Sequence, residues 1–343
     1  MRVGDCCPDY DDFCTEIELL ATIGNGTDVR IHNDTRVFNT ERLGLLIEPA
    51  TFALDFRSRV TSSINGPSLI KVPSFVKEPL GKYYLYFSHH RDTYMRMAYA
   101  DNITGPYTIY APGVMDVADV AGGDHVASPD VFVDEETQQI RMYYHAWATD
   151  VNHTQLTFVA FSSTGLGFVA LPHQLGRPYF RVFKYNDWYY ALSKDYSRGG
   201  MFQRSPVADG FSQEFEYGTS CIERKRHSAV WVQGNYLYIF YSRVRDTPEA
   251  IFITRVSLEG NWTSWQPCAH GHLLLRPEMD YEGADLPIRT SRAGTGQEPV
   301  HELRDPGIYE EAGRVYVLYS VAGESGIAMA ELKWDELPGD VEN

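Results

Sequence analysis

Two aspartates set beside prolines give the first hint of chemistry. Asp130 follows Pro129 in "HVASPDVFVD" (125–134), and Asp305 precedes Pro306 in "ELRDPGIYEE" (302–311). Each stands at the head of an apolar run of strand character that ends in an acidic turn. An aspartate beside a proline ordinarily starts a turn. Two of them heading similar strands suggest a shared site, and a pair of carboxylates can divide general-acid and general-base work between them.

The elements that would carry these residues recur along the chain. Five segments share one pattern: a small or charged residue, usually a proline, a strand, a tight turn and an aromatic second strand. They are "GPSLIKVPSFVKEPLGKYYLYFSHH" (66–90), "SPDVFVDEETQQIRMYYHAW" (128–147), "RPYFRVFKYNDWYYALSKD" (177–195), "HSAVWVQGNYLYIFYSRV" (227–244) and "DPGIYEEAGRVYVLYSVAG" (305–323). The turns "YND", "QGN" and "EAGR" are of hairpin type. A third strand follows each pair, for example "LTFVAFSSTGLGF" and "AIFITRVSLEGNW". Three to four antiparallel strands repeated five times predict an all-β fold, a five-bladed β-propeller. Sandwich strands do not recur as a four-strand unit. The propeller is expected over residues 61–343, with residues 1–60 as an extension packing on it and supplying an outer strand from "RLGLLIEP". A long insertion, 262–304, precedes the last repeat, and long segments on a rigid scaffold are usually functional.

Composition narrows the partners. The chain has 343 residues, 43% of them apolar, with 23 Tyr, 17 Phe and 6 Trp, which suits strands. Its formal net charge is −16, and no lysine- or arginine-rich run is present, which argues against nucleic acid or an anionic membrane surface. No stretch is long enough for a membrane-spanning helix. The beginning of the sequence lacks the apolar core of an export signal, so a reduced cytoplasm is the expected compartment. Five Asn-x-Thr sequons (Asn25, Asn33, Asn102, Asn152, Asn261) leave secretion open. The five cysteines (Cys6, Cys7, Cys14, Cys221, Cys268) show neither a disulfide framework nor zinc spacing.

Inner strands opening on Asp-Pro or Pro-Asp, followed by strands of the "YYLYFS" type, resemble the five-bladed propellers of glycoside hydrolase families 43, 62 and 117. Families 32 and 68 are more distant. "RDPGIYEEAGRVYVLYS" is similar to the first inner hairpin of family 43 and "ASPDVFVD…IRMYYHAW" to its second. The segments "NGPSLI", "SPDVFVD", "YFRVF", "EGADLP" and "GESGIA" also resemble a group of bacterial glycosyl-hydrolase-like proteins. The resemblance implies a glycosidase acting on carbohydrate without a cofactor, with room for a structural cation near the propeller axis. It implies Asp305 as general base and Asp130 as the residue that tunes the acid's pKa. The general acid, a glutamate from a later blade in family 43, has no counterpart here, because the third and fourth repeats open without one.

In a propeller the heads of the inner strands meet around a funnel. Asn65, Ser68, Asp130, Arg181, His227 and Asp305 are therefore expected to converge. The acid is sought in the insertion: Glu282 and Asp285 of "MDYEGADLP" first, with Asp280 and Glu298 behind them. A carboxylate desolvated over the funnel would gain the raised pKa an acid needs. Substrate contacts are expected from His89 and His125 at strand ends, from Arg243 and Arg304, and from Glu324 between glycines in "GESG". Tyr179, Trp147 and Trp231 could stack on a sugar ring. Hydrolysis at a chain end with inversion is the leading expectation. The rivals are a glycoside phosphorylase, which would hold phosphate with arginines such as Arg177, Arg181, Arg226, Arg243 and Arg304, and a non-catalytic carbohydrate-binding propeller. The sequence is silent on sugar identity and oligomeric state.

Overall fold

A computed structural model describes residues 28–31, 34, 36–52, 63–90, 93–148, 154–195, 199–209, 214–267, 271–294 and 298–336. Cys6, Cys7, Cys14, Cys268, Asn25, Asn33 and Asn152 lie outside the described residues. The fold is a five-bladed β-propeller. The first blade holds β3 (Asn65–Lys71), β4 (Tyr83–Ser88), β5 (Tyr94–Ala100) and β6 (Thr108–Ile109), with the short β7 (Met115–Asp116) also paired to β5. The second holds β8 (Gly123–Asp134), β9 (Gln139–Trp147), β10 (Gln155–Ser162) and β11 (Val169–Ala170). The third holds β12 (Arg181–Tyr185), β13 (Trp188–Asp195), β14 (Gly199–Ser205) and β15 (Glu216–Cys221), and the fourth β16 (Lys225–Gln233), β17 (Tyr236–Arg243), β18 (Ile251–Ser257) and β19 (His272–Leu275).

The fifth blade draws on both ends of the chain. β20 (Arg304–Glu311), β21 (Arg314–Val321) and β22 (Gly326–Glu336) are joined by β2 (Arg36–Ile47), which runs antiparallel along β22 from Arg36↔Glu336 to Ile47↔Ile327; β1 (Val29–Arg30) adds to its edge. The early strand thus closes the ring. Local turn chemistry agrees with the register. Asn186, Gly234 and the pair Ala312–Gly313 take positive φ in two-residue hairpin loops, which gives the right-handed twist their strands need.

Each blade is apolar on both faces because successive side chains point to opposite neighbours. Along β17, Tyr238 and Phe240 pack toward Val315, Val317 and Tyr319 of the fifth blade, whereas Leu237, Ile239 and Tyr241 pack toward Tyr190, Leu192 and Phe202 of the third. Five such clusters fill the five seams between blades. No blade therefore has a core of its own. We expect a single cooperative denaturant transition seen alike by far-UV circular dichroism and tryptophan fluorescence; two separated transitions would contradict this packing.

The candidate site at the propeller mouth

The inner strands β3, β8, β12, β16 and β20 begin at one end of the ring, here termed the mouth. Four of them open with a bulge, falling between Asn65 and Ser68, Ala127 and Asp130, Lys225 and Ser228, and Arg304 and Gly307. Aligning these bulges puts Gly66, Ser128, Arg226 and Asp305 in matching places. Gly66, Ser128 and Asp305 share a left-handed backbone (φ of 63°, 53° and 49°) directly before a proline. Glycine adopts this freely and aspartate tolerates it, whereas serine takes it only at a cost that the surrounding structure must hold.

This alignment corrects the pairing expected from sequence. Ser128, not Asp130, is the counterpart of Asp305, and Asp130 stands two residues further along its strand. There it lines an axial cavity of about 170 Å³ with Ser68, Arg181, Val182, Ala229, Val230 and Gly307. Its Oδ2 accepts the Val182 N–H at 2.7 Å, and Ser68 Oγ accepts from the Val131 N–H at 2.9 Å. Burial raises the Asp130 carboxyl above its ordinary pKa, against the opposing pull of Arg181 and the Val182 N–H. Arg181 is spent on backbone: Nε donates to the Ser228 carbonyl (2.7 Å) and Nη1 to the carbonyls of Phe180 (2.9 Å) and Ser128 (3.4 Å). The six residues expected to converge therefore divide between two levels. Ser68, Asp130 and Arg181 join blades inside the ring, while Asn65, His227 and Asp305 sit at the mouth.

At the mouth, Asp305 is 2% exposed. His227 Nδ1 meets its Oδ1, and the Ser320 hydroxyl donates to Oδ2 at 3.3 Å. A file of buried rings continues from it toward the third and second blades. His227 contacts Tyr179 at 4.7 Å between centroids, Tyr179 contacts His145 at 4.2 Å, and His145 contacts His125 at 5.4 Å. His125 is flanked by Trp147 and by the carboxylate of Asp124. Burial, with His125 and more distant cations adding to it, holds His145 well below the usual histidine pKa, so it is neutral. Lys194 lies over the Tyr179 ring at 5.1 Å, its pKa lowered to about 8 by burial and by Arg226.

A second layer of charge joins the fourth, fifth and first blades. Arg304 donates through Nε to Glu302 (2.8 Å) and through Nη1 to Glu324 (3.2 Å), with Glu249 at 3.6 Å. Arg226 bonds the same Glu249 at 3.1 Å. Glu324 also receives the Ser63 hydroxyl (2.7 Å) and the Asn65 amide (3.2 Å), and lies 3.1 Å from His90 Nδ1. Burial alone would raise its pKa, but His90 and Arg304 overcome that and bring it down to about 2. Glu249, fully buried, goes the other way: burial raises it despite Arg226 and Arg304. His89 is buried at the end of β4, and Arg243 pairs with Asp246 at 2.8 Å.

Glu249 was not singled out by sequence reasoning, nor was Glu302. A usable signal existed for Glu249. It lies between the second and third strands of its blade, the place that Glu324 occupies in the fifth blade, and all such turns return to the mouth.

The insertion behaves differently from expectation. Glu282, fully buried, accepts Arg42 Nε (2.8 Å), the Tyr319 hydroxyl (2.8 Å) and the N–H groups of Glu278 (2.8 Å) and Met279 (3.1 Å). With its oxygens engaged by β2, β21 and its own turn, it is a structural pin and not an acid held over the funnel. Asp285 is exposed on the same loop. The part of the insertion that does reach the mouth comes later. Arg226 donates to the carbonyls of Arg292 (2.7 Å) and Gly294 (2.6 Å), and Ser291 N–H donates to the Asp246 carbonyl (2.9 Å). Glu282→Ala is accordingly expected to destabilise the fold by about 3–5 kcal/mol, the usual cost of stripping one partner from a buried ion pair, while kcat below the melting range stays unchanged. Denaturant melts and kinetics on the same preparation would check this. A kcat loss at unchanged stability would restore Glu282 to the catalytic set.

No family model matches the chain. Among solved structures, it is similar to CoXyl43, a GH43 β-xylosidase/α-arabinofuranosidase from a compost microbial metagenome (14% identity, TM-score 0.52, covering 85% of this chain and 94% of that one). It is likewise similar to the GH43_1 enzyme from Xanthomonas citri (13%, TM-score 0.53, 86% and 97%) and to an α-L-arabinofuranosidase from Lactobacillus brevis (11%, TM-score 0.54, 80% and 91%). The fold is a GH43-like five-bladed propeller. By sequence the chain belongs to the family of uncharacterized protein R118 of Acanthamoeba polyphaga mimivirus, with 33% identity over 300 residues, 79% of this chain and 83% of that protein.

Proposed function

We propose that the protein is an inverting glycoside hydrolase that works on a chain end at the mouth, with Asp305 as general base and Glu249 as proton donor. The observation that carries this reading is the setting of Asp305. It is the one carboxylate among the four bulged strand heads, buried, left-handed in backbone and in contact with His227. Two of the solved propellers similar in fold are, by name, a β-xylosidase/α-arabinofuranosidase and an α-L-arabinofuranosidase, which supports this reading. An ionised Asp305 would take a proton from water. Glu249, whose pKa burial raises against the pull of Arg226 and Arg304, is the carboxyl we assign to protonate the leaving oxygen. Inversion calls for carboxyl groups about 6.5–9.5 Å apart, with the water between them.

Phosphorolysis is the weaker alternative, because four of the five arginines suggested for phosphate are already committed. Arg181 holds carbonyls, Arg226 holds Glu249, Arg243 holds Asp246, and Arg304 holds Glu302 and Glu324. The test is a panel of aryl glycosides and oligosaccharides, with and without phosphate, the first-formed anomer being read by proton NMR. Phosphate-independent release of the inverted anomer is expected. Turnover that requires phosphate would favour the phosphorylase. Binding without turnover across the panel would make the protein a carbohydrate-binding propeller.

A further inference from the structure

The rim of the fourth blade concentrates positive charge in a chain whose formal net charge is −16. Two segments form it. One is the turn from Arg243 to Glu249 between β17 and β18; the other is the insertion from Arg289 to Gly294. They are stitched together by the Ser291 N–H on the Asp246 carbonyl (2.9 Å), the Arg245 N–H on Ser291 Oγ (2.8 Å) and the paired hydroxyls of Thr247 and Thr290 (2.9 Å). Arg226, at the head of β16, ties the insertion down through the Arg292 and Gly294 carbonyls. The backbone that carries the rim arginines is therefore fixed in place beside Glu249.

Two of the local acids are used: Asp246 answers Arg243 (2.8 Å) and Arg224 (3.8 Å), and Glu249 answers Arg226 (3.1 Å); Glu223, beside Arg224, and Asp285, four residues before Arg289, are exposed. Arg245, Arg289 and Arg292 are all exposed and have no ion pair among the described residues. Guanidinium groups on a fixed loop suit planar or tetrahedral oxyanions, which they bind by two hydrogen bonds at once. A cationic rim on an acidic protein also draws an anionic ligand to that one place and repels it elsewhere.

We propose that Arg245, Arg289 and Arg292 form a subsite for an anionic sugar unit, so that the substrate is an acidic oligosaccharide bearing carboxylate or sulfate groups. The inference rests on the glycosidase reading for the identity of the ligand as a glycan. It places the anion at the rim, outside the reacting centre, where free phosphate would have no part in bond cleavage.

Binding is measured by calorimetry on the full chain and on the R245Q/R289Q/R292Q variant, at low and high salt. The probes are a galacturonic acid hexamer, a sulfated galactan tetrasaccharide, xylohexaose and inorganic phosphate. At least one acidic oligosaccharide is expected to bind about tenfold or more tightly than xylohexaose, to weaken with salt, and to lose that advantage in the triple variant. The melting temperature of the variant should match that of the wild type, since the replaced side chains are exposed. Xylohexaose binding equal to that of both acidic probes, an advantage that survives in the variant, or arginine-dependent binding of inorganic phosphate without the acidic glycans would each overturn the proposal. The two readings fail separately. Asp305→Asn should still bind the acidic glycan, so arginine-dependent binding without turnover in the wild type removes the hydrolase and keeps the subsite. Hydrolysis of neutral glycans without acidic preference does the reverse.

Discussion

Asp305→Asn is expected to lower kcat by roughly 10²–10⁴-fold, the usual contribution of a positioned general base, with little change in KM or in the melting temperature. Asparagine keeps the shape, and its amide group can still meet Ser320 and His227, so the left-handed strand head is retained. What it removes is the capacity to take a proton. Asp130→Asn gives the contrast. Sequence alone put the two aspartates on the same footing, and equal losses would then follow. In the structure Asp130 lies two residues deeper and bonds the Val182 N–H, which an asparagine oxygen can also accept. Its replacement should leave kcat nearly unchanged. Steady-state kinetics of both variants on a substrate from the panel, with thermal melts alongside, decides the matter. Wild-type turnover by the Asp305 variant, or an equally dead Asp130 variant, would sink the assignment.

The fold was legible because its evidence is redundant. Five aromatic second strands and hairpin turns such as "YND" and "QGN" each specify the same unit, so no single residue had to be read correctly. The site lacked that protection. The sequence shows Asp and Pro side by side in both "SPDVF" and "RDPGI", but one residue before or after the proline changes which side of a bulge the carboxylate falls on. The bulge is a backbone event that composition does not announce. Glu282 misled for a related reason. A carboxylate in a long insertion has the right chemistry for an acid, and only its partners Arg42 and Tyr319, some 240 and 37 positions away in sequence, reveal it as a pin. Glu249 escaped notice because "DTPEAIF" reads as an ordinary turn. Its meaning comes from Arg226 and Arg304, which reach it from two other strand heads.

Arg304→Met is expected to cost the fold about 3–5 kcal/mol or more at neutral pH, because one buried guanidinium faces three buried carboxylates. Glu302, Glu324 and Glu249 are each under 5% exposed, and all three lie within ion-pair distance of Arg304. The pH dependence identifies the cause. Glu324 titrates at about 2 in the folded protein, against an ordinary 4.5. A depressed carboxylate contributes stability that is fully present above the ordinary value and is lost as pH falls toward the folded one. Wild type should therefore lose stability between about pH 4.5 and about pH 2 as Glu324 is forced to protonate. Without Arg304 the depression shrinks, and Glu249, already raised by burial, rises further. The variant then gains relative to wild type on acidification, and its stability maximum moves to lower pH. Thermal melts of both proteins from about pH 2 to neutral pH read this directly. A Met variant whose deficit is the same at every pH would mean that Arg304 contributes packing alone, and the mouth's charge network would lose its claim to shift Glu324 and Glu249 in opposite directions.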